Sequence, residues 1–248
     1  MASSTLDSFI SSSNVRPTPL ATSSEIRDRG SLFIASIYRA SSPSSASKCH
    51  TYHKNVVHGS NPASHEICAW RCMNLKSGCD GLGGPDDFEL VSGKEDDGED
   101  NGGRSVLRTM EKEGVIDAVV IVSRWFGGTL LGPVRFTHIE TCTREVCRTF
   151  KLIEEVESII EKLEALDEQL TQLRSELAEI QSQSASESVE LGSVNSPVST
   201  HRDPPDYRAM LLSPSPDLER AKRLITARQR AIRSVKGILV KAKGNSSG

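Results

Sequence analysis

Residues 118–136 read AVVIVSRWFGGTLLGPVRF and decide the fold. Ala118–Val122 is apolar at every position, which is the pattern of a central strand buried on both faces. A glycine-rich turn at 126–133 follows this strand, and the chain then has no glycine or proline before Gly192. This composition predicts a strand, a turn, and a long helix that starts near Val134.

The segments before this unit alternate between apolar runs and polar stretches. A short helix closed by Gly114, whose tolerance of positive φ suits a C-cap, precedes the buried strand. The predicted elements are a disordered N-terminus at 1–29, a strand at 32–38, a polar helix at 44–58, a strand at 67–72, a mobile acidic loop at 77–103 and the helix at 106–110. Their order indicates one α+β domain at 30–150, a sandwich in which helices cover one face of a small sheet.

The helix from Val134 carries a heptad repeat in its second half. Apolar residues recur at alternating spacings of four and three over about four heptads, which predicts a coiled coil at 151–181 and a homodimer. In a parallel pair, Lys162 would face Asp167 of the second copy. The alternative is an amphipathic helix that packs on its own domain. The predicted seam consists of Val156, Ile159, Leu163, Leu166, Leu170, Leu173, Leu177 and Ile180.

Charge is distributed unevenly along the chain. The net charge is −2 over 1–150, −8 over 151–190 and +7 over 191–248. A linker at 182–214 is predicted to be disordered, and a basic amphipathic helix at 215–243 follows it. The basic end is expected to bind RNA, an anionic membrane surface or the chain's own acidic segment.

Composition indicates a cytoplasmic protein. No apolar run reaches the roughly 20 residues that a membrane span needs, and the N-terminus lacks the pattern of a secretory signal. Disulfide frameworks belong mainly to small secreted proteins, so the cysteines are expected to be reduced thiols. They lie at positions 49, 68, 72, 79, 142 and 147.

The sequence offers few candidates for catalysis or metal binding. The acids at 95–100 would suit Mg²⁺ or Ca²⁺ but do not match an EF-hand loop, so solvated loop acids are the preferred interpretation. The loop at 126–133 lacks the Gly-Lys-Ser/Thr ending of a P-loop. We therefore expect no catalysis, no cofactor and no metal. Structural zinc is disfavoured because the Cys-x-x-Cys spacing is missing around the histidines at 50, 53 and 58 and the cysteines at 49, 68 and 72.

Three blocks of sequence carry a family resemblance. They are Val119–Ile139, the DDGE segment Asp96–Glu99, and Ala63–Arg71, which reads ASHEICAWR. Over about residues 30–150, the chain resembles the IMPACT family domain in its fungal form. The resemblance implies a fold similar to the second domain of ribosomal protein S5, with a left-handed β-α-β arrangement.

The same resemblance implies a function. Eukaryotic members of this family restrain the amino-acid-starvation kinase that phosphorylates translation initiation factor 2, because they compete for the kinase's ribosome-bound activator. They also bind monomeric actin. In those members an RWD domain contributes to activator binding, and we expect none before Gly30. A dimeric scaffold that binds RNA or the ribosome is the alternative function.

The motif residues define a predicted binding surface. The alternative to a binding role is a structural role for these residues. In that case the glycines shape the turn, and Arg124 or Arg135 pairs with the DDGE acids inside the domain. The predicted surface comprises His65, Arg71, Asp96, Asp97, Glu99, Arg124, Trp125, Gly127, Gly128, Gly132, Arg135 and His138.

Overall fold

The computed structural model describes residues 16–186, 205–212 and 215–245. The chain divides into two compact units, Met1–Lys151 and Leu152–Gly248. No helix within the described ranges is long and apolar enough to cross a membrane.

The first unit is built on one six-stranded sheet in which every pair of strands is antiparallel. Its strands are β1 (Ala21–Thr22), β2 (Ile26–Asp28), β3 (Ser31–Arg39), β4 (His65–Leu75), β5 (Phe88–Glu95) and β6 (Ala118–Trp125). The spatial order is β1-β3-β6-β4-β5, and β2 also pairs with β3. The predicted buried strand β6 therefore lies in the middle of the sheet.

The helices follow the predicted order along the chain. They are α1 (Pro43–Tyr52), which continues into a π-helical turn at His53–Val57, then α2 (Gly102–Glu113) and α3 (Val134–Ser186). Ser42 caps the start of α1, because its side chain accepts a hydrogen bond from the backbone N–H of Ser45. Gly114 ends α2 with φ of 70°, as the sequence predicts.

Strand β6 has a hydrophobic core on each of its faces. Val120 and Val122 pack in the core that includes Met110 of α2 and residues of α3, whereas Val119 and Ile121 pack in the core beneath α1. The α+β class is confirmed. The expectation that helices cover one face is wrong, because a strand that is apolar on both faces must be covered on both.

Two segments predicted to lack regular structure form strands. Within the predicted disordered N-terminus at 1–29, residues 21–22 and 26–28 pair with β3. Within the predicted loop at 77–103, Phe88–Glu95 pairs with β4 along its whole length. Both segments gain order from hydrogen bonds to neighbouring strands rather than from their own composition.

The second unit contains the part of α3 from residue 152 onward, which we call the stem, together with α4 (Ala209–Leu212) and α5 (Leu218–Asn245). The helix α5 covers most of the predicted basic amphipathic helix. Of the predicted linker at 182–214, residues 187–204 and 213–214 lie outside the described ranges.

The stem buries the first part of the predicted seam against its own chain. Val156, Ile159 and Leu163 pack with Met210 of α4 and Ala221 of α5. The helix along this part of the seam is α5 of the same chain, whereas the sequence predicted a helix from a second copy. A heptad pattern does not specify which chain provides the partner.

Charge complementarity joins α5 to the stem. Lys222 lies 3.1 Å from Glu155, and Lys243 lies 2.6 Å from Glu176, so α5 runs in the same direction as the stem. Of the partners considered for the basic end, the acidic segment of the same chain is the one that it contacts here.

Candidate functional site

Glu99 of the DDGE segment is the centre of a cluster of charged side chains. It is 4% exposed and accepts a hydrogen bond from Nη1 of Arg124, which is 5% exposed. Nε of Arg135 lies 2.5 Å from Glu99 Oε1 but is not aligned for a hydrogen bond, so this contact is an ion pair. Both arginines therefore pair with the DDGE segment, which is the structural alternative that the sequence suggested.

The other two DDGE acids bind backbone and lysine donors. Asp96 accepts a hydrogen bond of 2.8 Å from the N–H of Gly103 at the start of α2. Asp97 accepts one from the N–H of Glu66 and one from Lys54 Nζ, each of 2.8 Å. Burial would raise the pKa of Asp97, but these hydrogen bonds hold the pKa below its usual value.

The two histidines of the predicted surface, His65 and His138, contact different partners near this cluster. His65 places Nδ1 2.9 Å from the carbonyl oxygen of Asp97, and its Nε2 is 3.9 Å from Glu99. His138 contacts Asp28 through Nε2 at 2.9 Å. Hydrogen bonds from Arg29 and then from His138 lower the pKa of Asp28.

Two residues of the predicted surface, Arg71 and Trp125, lie away from the cluster around Glu99. Arg71 pairs in register with Ala118, at the opposite end of β6 from Arg124, so the strand separates the two arginines by about 20 Å. Arg71 instead donates a hydrogen bond of 2.8 Å to the carbonyl of Val115. Trp125 follows Arg124 in β6 and therefore faces the opposite side of the sheet. The prediction of one continuous surface is wrong at these two positions.

Glycines fix the loop Phe126–Pro133, which we call the glycine loop. A Cβ on Gly127 would lie 2.0 Å from the backbone carbon of Gly30, so only glycine allows the loop to approach the turn before β3. Gly128 and Gly132 have φ of 85° and 60°, in the left-handed region that favours glycine. The three glycines thus determine the shape of the loop.

The glycine loop exposes large apolar side chains. Leu130 is 84% exposed and Phe126 is 44% exposed, and the guanidinium carbon of Arg124 lies 5.5 Å from the centre of the Phe126 ring. Exposed apolar groups beside a rigid charged cluster are typical of protein-binding surfaces. The sequence interpretation missed both residues, although large apolar residues between loop glycines were a detectable signal.

One protein-family model matches most of the first unit. The family model described as the Impact N-terminal domain matches residues 29–147. This stretch is therefore similar to an Impact N-terminal domain. The family resemblance predicted from the three sequence blocks is confirmed.

Curated relatives match the chain over part of their own length. Protein IMPACT of Bos taurus is 42% identical over 84 residues, which are 34% of this chain and 23% of that protein. An IMPACT family member of Schizosaccharomyces pombe is 36% identical over 94 residues, 38% of this chain and 26% of that protein. The chain therefore spans about a quarter of the length of these relatives.

Two solved structures are also similar to the chain. One, a hypothetical protein, is 23% identical with a TM-score of 0.39 and covers 53% of this chain and 59% of its own. The other, the two-domain translational regulator Yih1, is 31% identical with a TM-score of 0.34 and covers 50% of this chain and 44% of its own.

A buried polar network lies on the Trp125 side of the sheet in the first unit. Ser123 Oγ donates a hydrogen bond of 2.6 Å to Glu66, and His53 Nε2 lies 3.2 Å from the same hydroxyl. The phenol of Tyr38 is 2.6 Å from His53 Nδ1, and His58 Nδ1 is 2.7 Å from Glu66 Oε1. Burial, and then the neighbouring histidines, lower the pKa of His53 to about 4, so its ring is neutral near pH 7.

A second polar group in the first unit lies on the same side of β4. His50 places Nδ1 3.1 Å from Glu95 and Nε2 2.9 Å from the backbone oxygen of Glu66. The thiol of Cys68 is close to both side chains. Burial raises the pKa of Cys68 far above its usual range, so the sulfur is a neutral thiol.

Proposed function

We propose that this chain is a cytoplasmic regulator of translation that acts through protein contacts rather than catalysis. In this proposal it restrains the amino-acid-starvation kinase of initiation factor 2, because it competes for the kinase's activator, and monomeric actin is a further partner. The observation that carries the proposal is the match of residues 29–147, the region in which the motif residues lie, to the Impact N-terminal domain.

The geometry of the motif residues supports binding. The DDGE carboxylates are engaged by arginine, lysine and backbone donors, which leaves them poorly placed for acid-base chemistry. The same ion pairs hold the glycine loop, and Leu130 on this loop is 84% exposed. A rigid loop with an exposed apolar side chain loses little conformational entropy on binding.

A loop variant with a matched control tests the proposal. Leu130→Asp should weaken capture of the kinase activator by the purified full chain, because a charge on the loop opposes burial in an apolar interface. Leu82→Asp is the control, since Leu82 is 88% exposed on a different loop of the same unit. Failure of the unmodified chain to bind the activator, or equal binding by both variants, would count against the proposal.

The exposed basic residues of α5 favour RNA as a second candidate partner. Arg220, Arg223, Arg230, Arg233 and Lys236 are exposed along this helix. Phosphate contacts weaken steeply as salt concentration rises, because they release condensed counterions. RNA affinity that is measurable at low salt and falls with added salt would support this function, and an affinity insensitive to salt would remove its support.

A further inference from the structure

We propose that His53, His58 and Glu66 bind a zinc ion at a site beside Trp125. Two imidazoles and one carboxylate form a ligand set found in zinc sites that keep a fourth position for water. This inference does not rest on the proposed regulatory function, because it concerns the opposite side of the sheet from the Arg124 cluster.

The ligand atoms are already arranged around a common point. His53, His58 and Glu66 each offer one ligand atom, and these three atoms all lie within 4.8 Å of one another. His53 Nε2 lies 3.9 Å from Glu66 Oε2, and His58 Nδ1 lies 2.7 Å from Glu66 Oε1. In a tetrahedral site with bonds of about 2.0–2.1 Å, two ligand atoms lie about 3.3 Å apart, so small side-chain adjustments bring these atoms to zinc.

The charge of Glu66 provides an independent reason for a cation. This side chain is 2% exposed, and its ion pairs within the described ranges are with the imidazoles of His53 and His58. A buried carboxylate without a permanent cation is costly, and a divalent ion among its ligands compensates that charge.

Neighbouring groups can orient the ligands once their protons are rearranged. With zinc on His53 Nε2, the ring carries its proton on Nδ1 and donates to the oxygen of Tyr38, which is 2.6 Å away. Ser123 keeps its hydrogen bond to Glu66 Oε2 and fixes the carboxylate. His58 moves its proton from Nδ1 to Nε2. Such second partners set the tautomer and orientation of metal ligands.

His58 also provides a route from solvent. Its side chain is 17% exposed, whereas those of His53 and Glu66 are 3% and 2% exposed. The ring centre of His58 lies 4.9 Å from that of Trp125, at the end of β6. An ion can therefore reach the two buried ligands past a ligand that is itself near the surface.

The nearby group of His50, Cys68 and Glu95 is a competing location for the zinc ion. Its carboxylate, Glu95, is half exposed to solvent, whereas Glu66 is 2% exposed. Zinc affinity there would depend on Cys68. A Cys68→Ser variant therefore separates the two locations.

The test is calorimetric titration of zinc chloride into the untagged full chain after treatment with a chelator. We expect about one zinc ion per chain and a rise in Tm with zinc, because an ion that binds only the folded state stabilises it. His58→Ala and Glu66→Gln should each weaken zinc binding by about 100-fold or more, given that even outer partners of metal ligands contribute 10–100-fold.

Two variants serve as controls in the same titration. His138→Ala removes a histidine outside the site, and Cys68→Ser removes the competing ligand, so both should bind zinc like the unmodified chain. Absence of zinc binding by the unmodified chain would overturn the proposal. So would unchanged binding by His58→Ala, or loss of binding in Cys68→Ser.

Discussion

Arg124 and Glu99 form an ion pair in which neither side chain is more than 6% exposed. The pair joins the end of β6 to the DDGE segment, two parts of the chain separated by 25 residues. Arg135 pairs with the same carboxylate from the first turn of α3. The conformation of the glycine loop between these arginines therefore depends on Glu99.

Removal of the Glu99 charge should destabilise the first unit. Glu99→Gln leaves the guanidinium of Arg124 buried without an anion, and breaking a buried pair in this way typically costs about 3–5 kcal/mol in the free energy of unfolding. Urea denaturation of the full chain measures this loss. The control is Asp100→Asn at the exposed neighbouring position, which should stay within about 0.5 kcal/mol. Equal costs at the two positions would contradict the assigned role of the ion pair.

Substitution of loop glycines should distinguish close packing from backbone strain. Gly127→Ala places a methyl group 2.0 Å from the backbone of Gly30, so we expect a cost near the upper end of about 1–3 kcal/mol. Gly128→Ala meets no atom within 4 Å and carries only the strain of its positive φ, about 1 kcal/mol. Thermal denaturation should rank Gly127→Ala as the less stable variant, and the reverse order would show that the loop does not approach Gly30.

Deletion of α5 should change the association state of the chain. The full chain covers Val156 and Leu163 with its own helices, so we expect light scattering to give the mass of a monomer. A chain that ends at residue 214 would expose this heptad seam, and we expect it to form dimers or larger assemblies, because an exposed apolar seam favours self-association. A dimer of the full chain that persists when α5 is present would show that a second copy also binds the stem.

The parts of the fold that sequence reasoning predicted are those determined by local patterns. Strand β6 was recognised because Ala118–Val122 is apolar on both faces, and Gly114 marked the end of α2. Strand β5 was missed because it is an edge strand. Its residues Phe88 and Leu90 remain 38% and 44% exposed, and its order comes from pairing with β4 rather than from its own composition.

The contacts of the candidate site were also anticipated only in part from the sequence. Pairing of Arg124 or Arg135 with the DDGE acids was the alternative to a binding surface that the sequence suggested, and both arginines form such pairs. The network that includes His53, Ser123 and Glu66 could not be predicted, because its members come from separate helices and strands and His53 and Ser123 lie 70 residues apart. The pairing of β4 with β6 places Glu66 beside Ser123, and the turn after α1 brings His53 to them.

Reactivity of the cysteines gives a test of the core that involves no change of stability. Five of the six cysteines are buried, and Cys79 is partly exposed. Burial raises the pKa of Cys72 to about 11 and that of Cys147 to about 12, so few of these thiols ionise at neutral pH, and the thiolate is the reactive form. Labelling of the native chain with a thiol reagent should give one fast thiol, which Cys79→Ser removes. The unfolded chain should give all six. Two or more fast thiols in the native chain would mean that one of the cores beneath the helices is open to solvent.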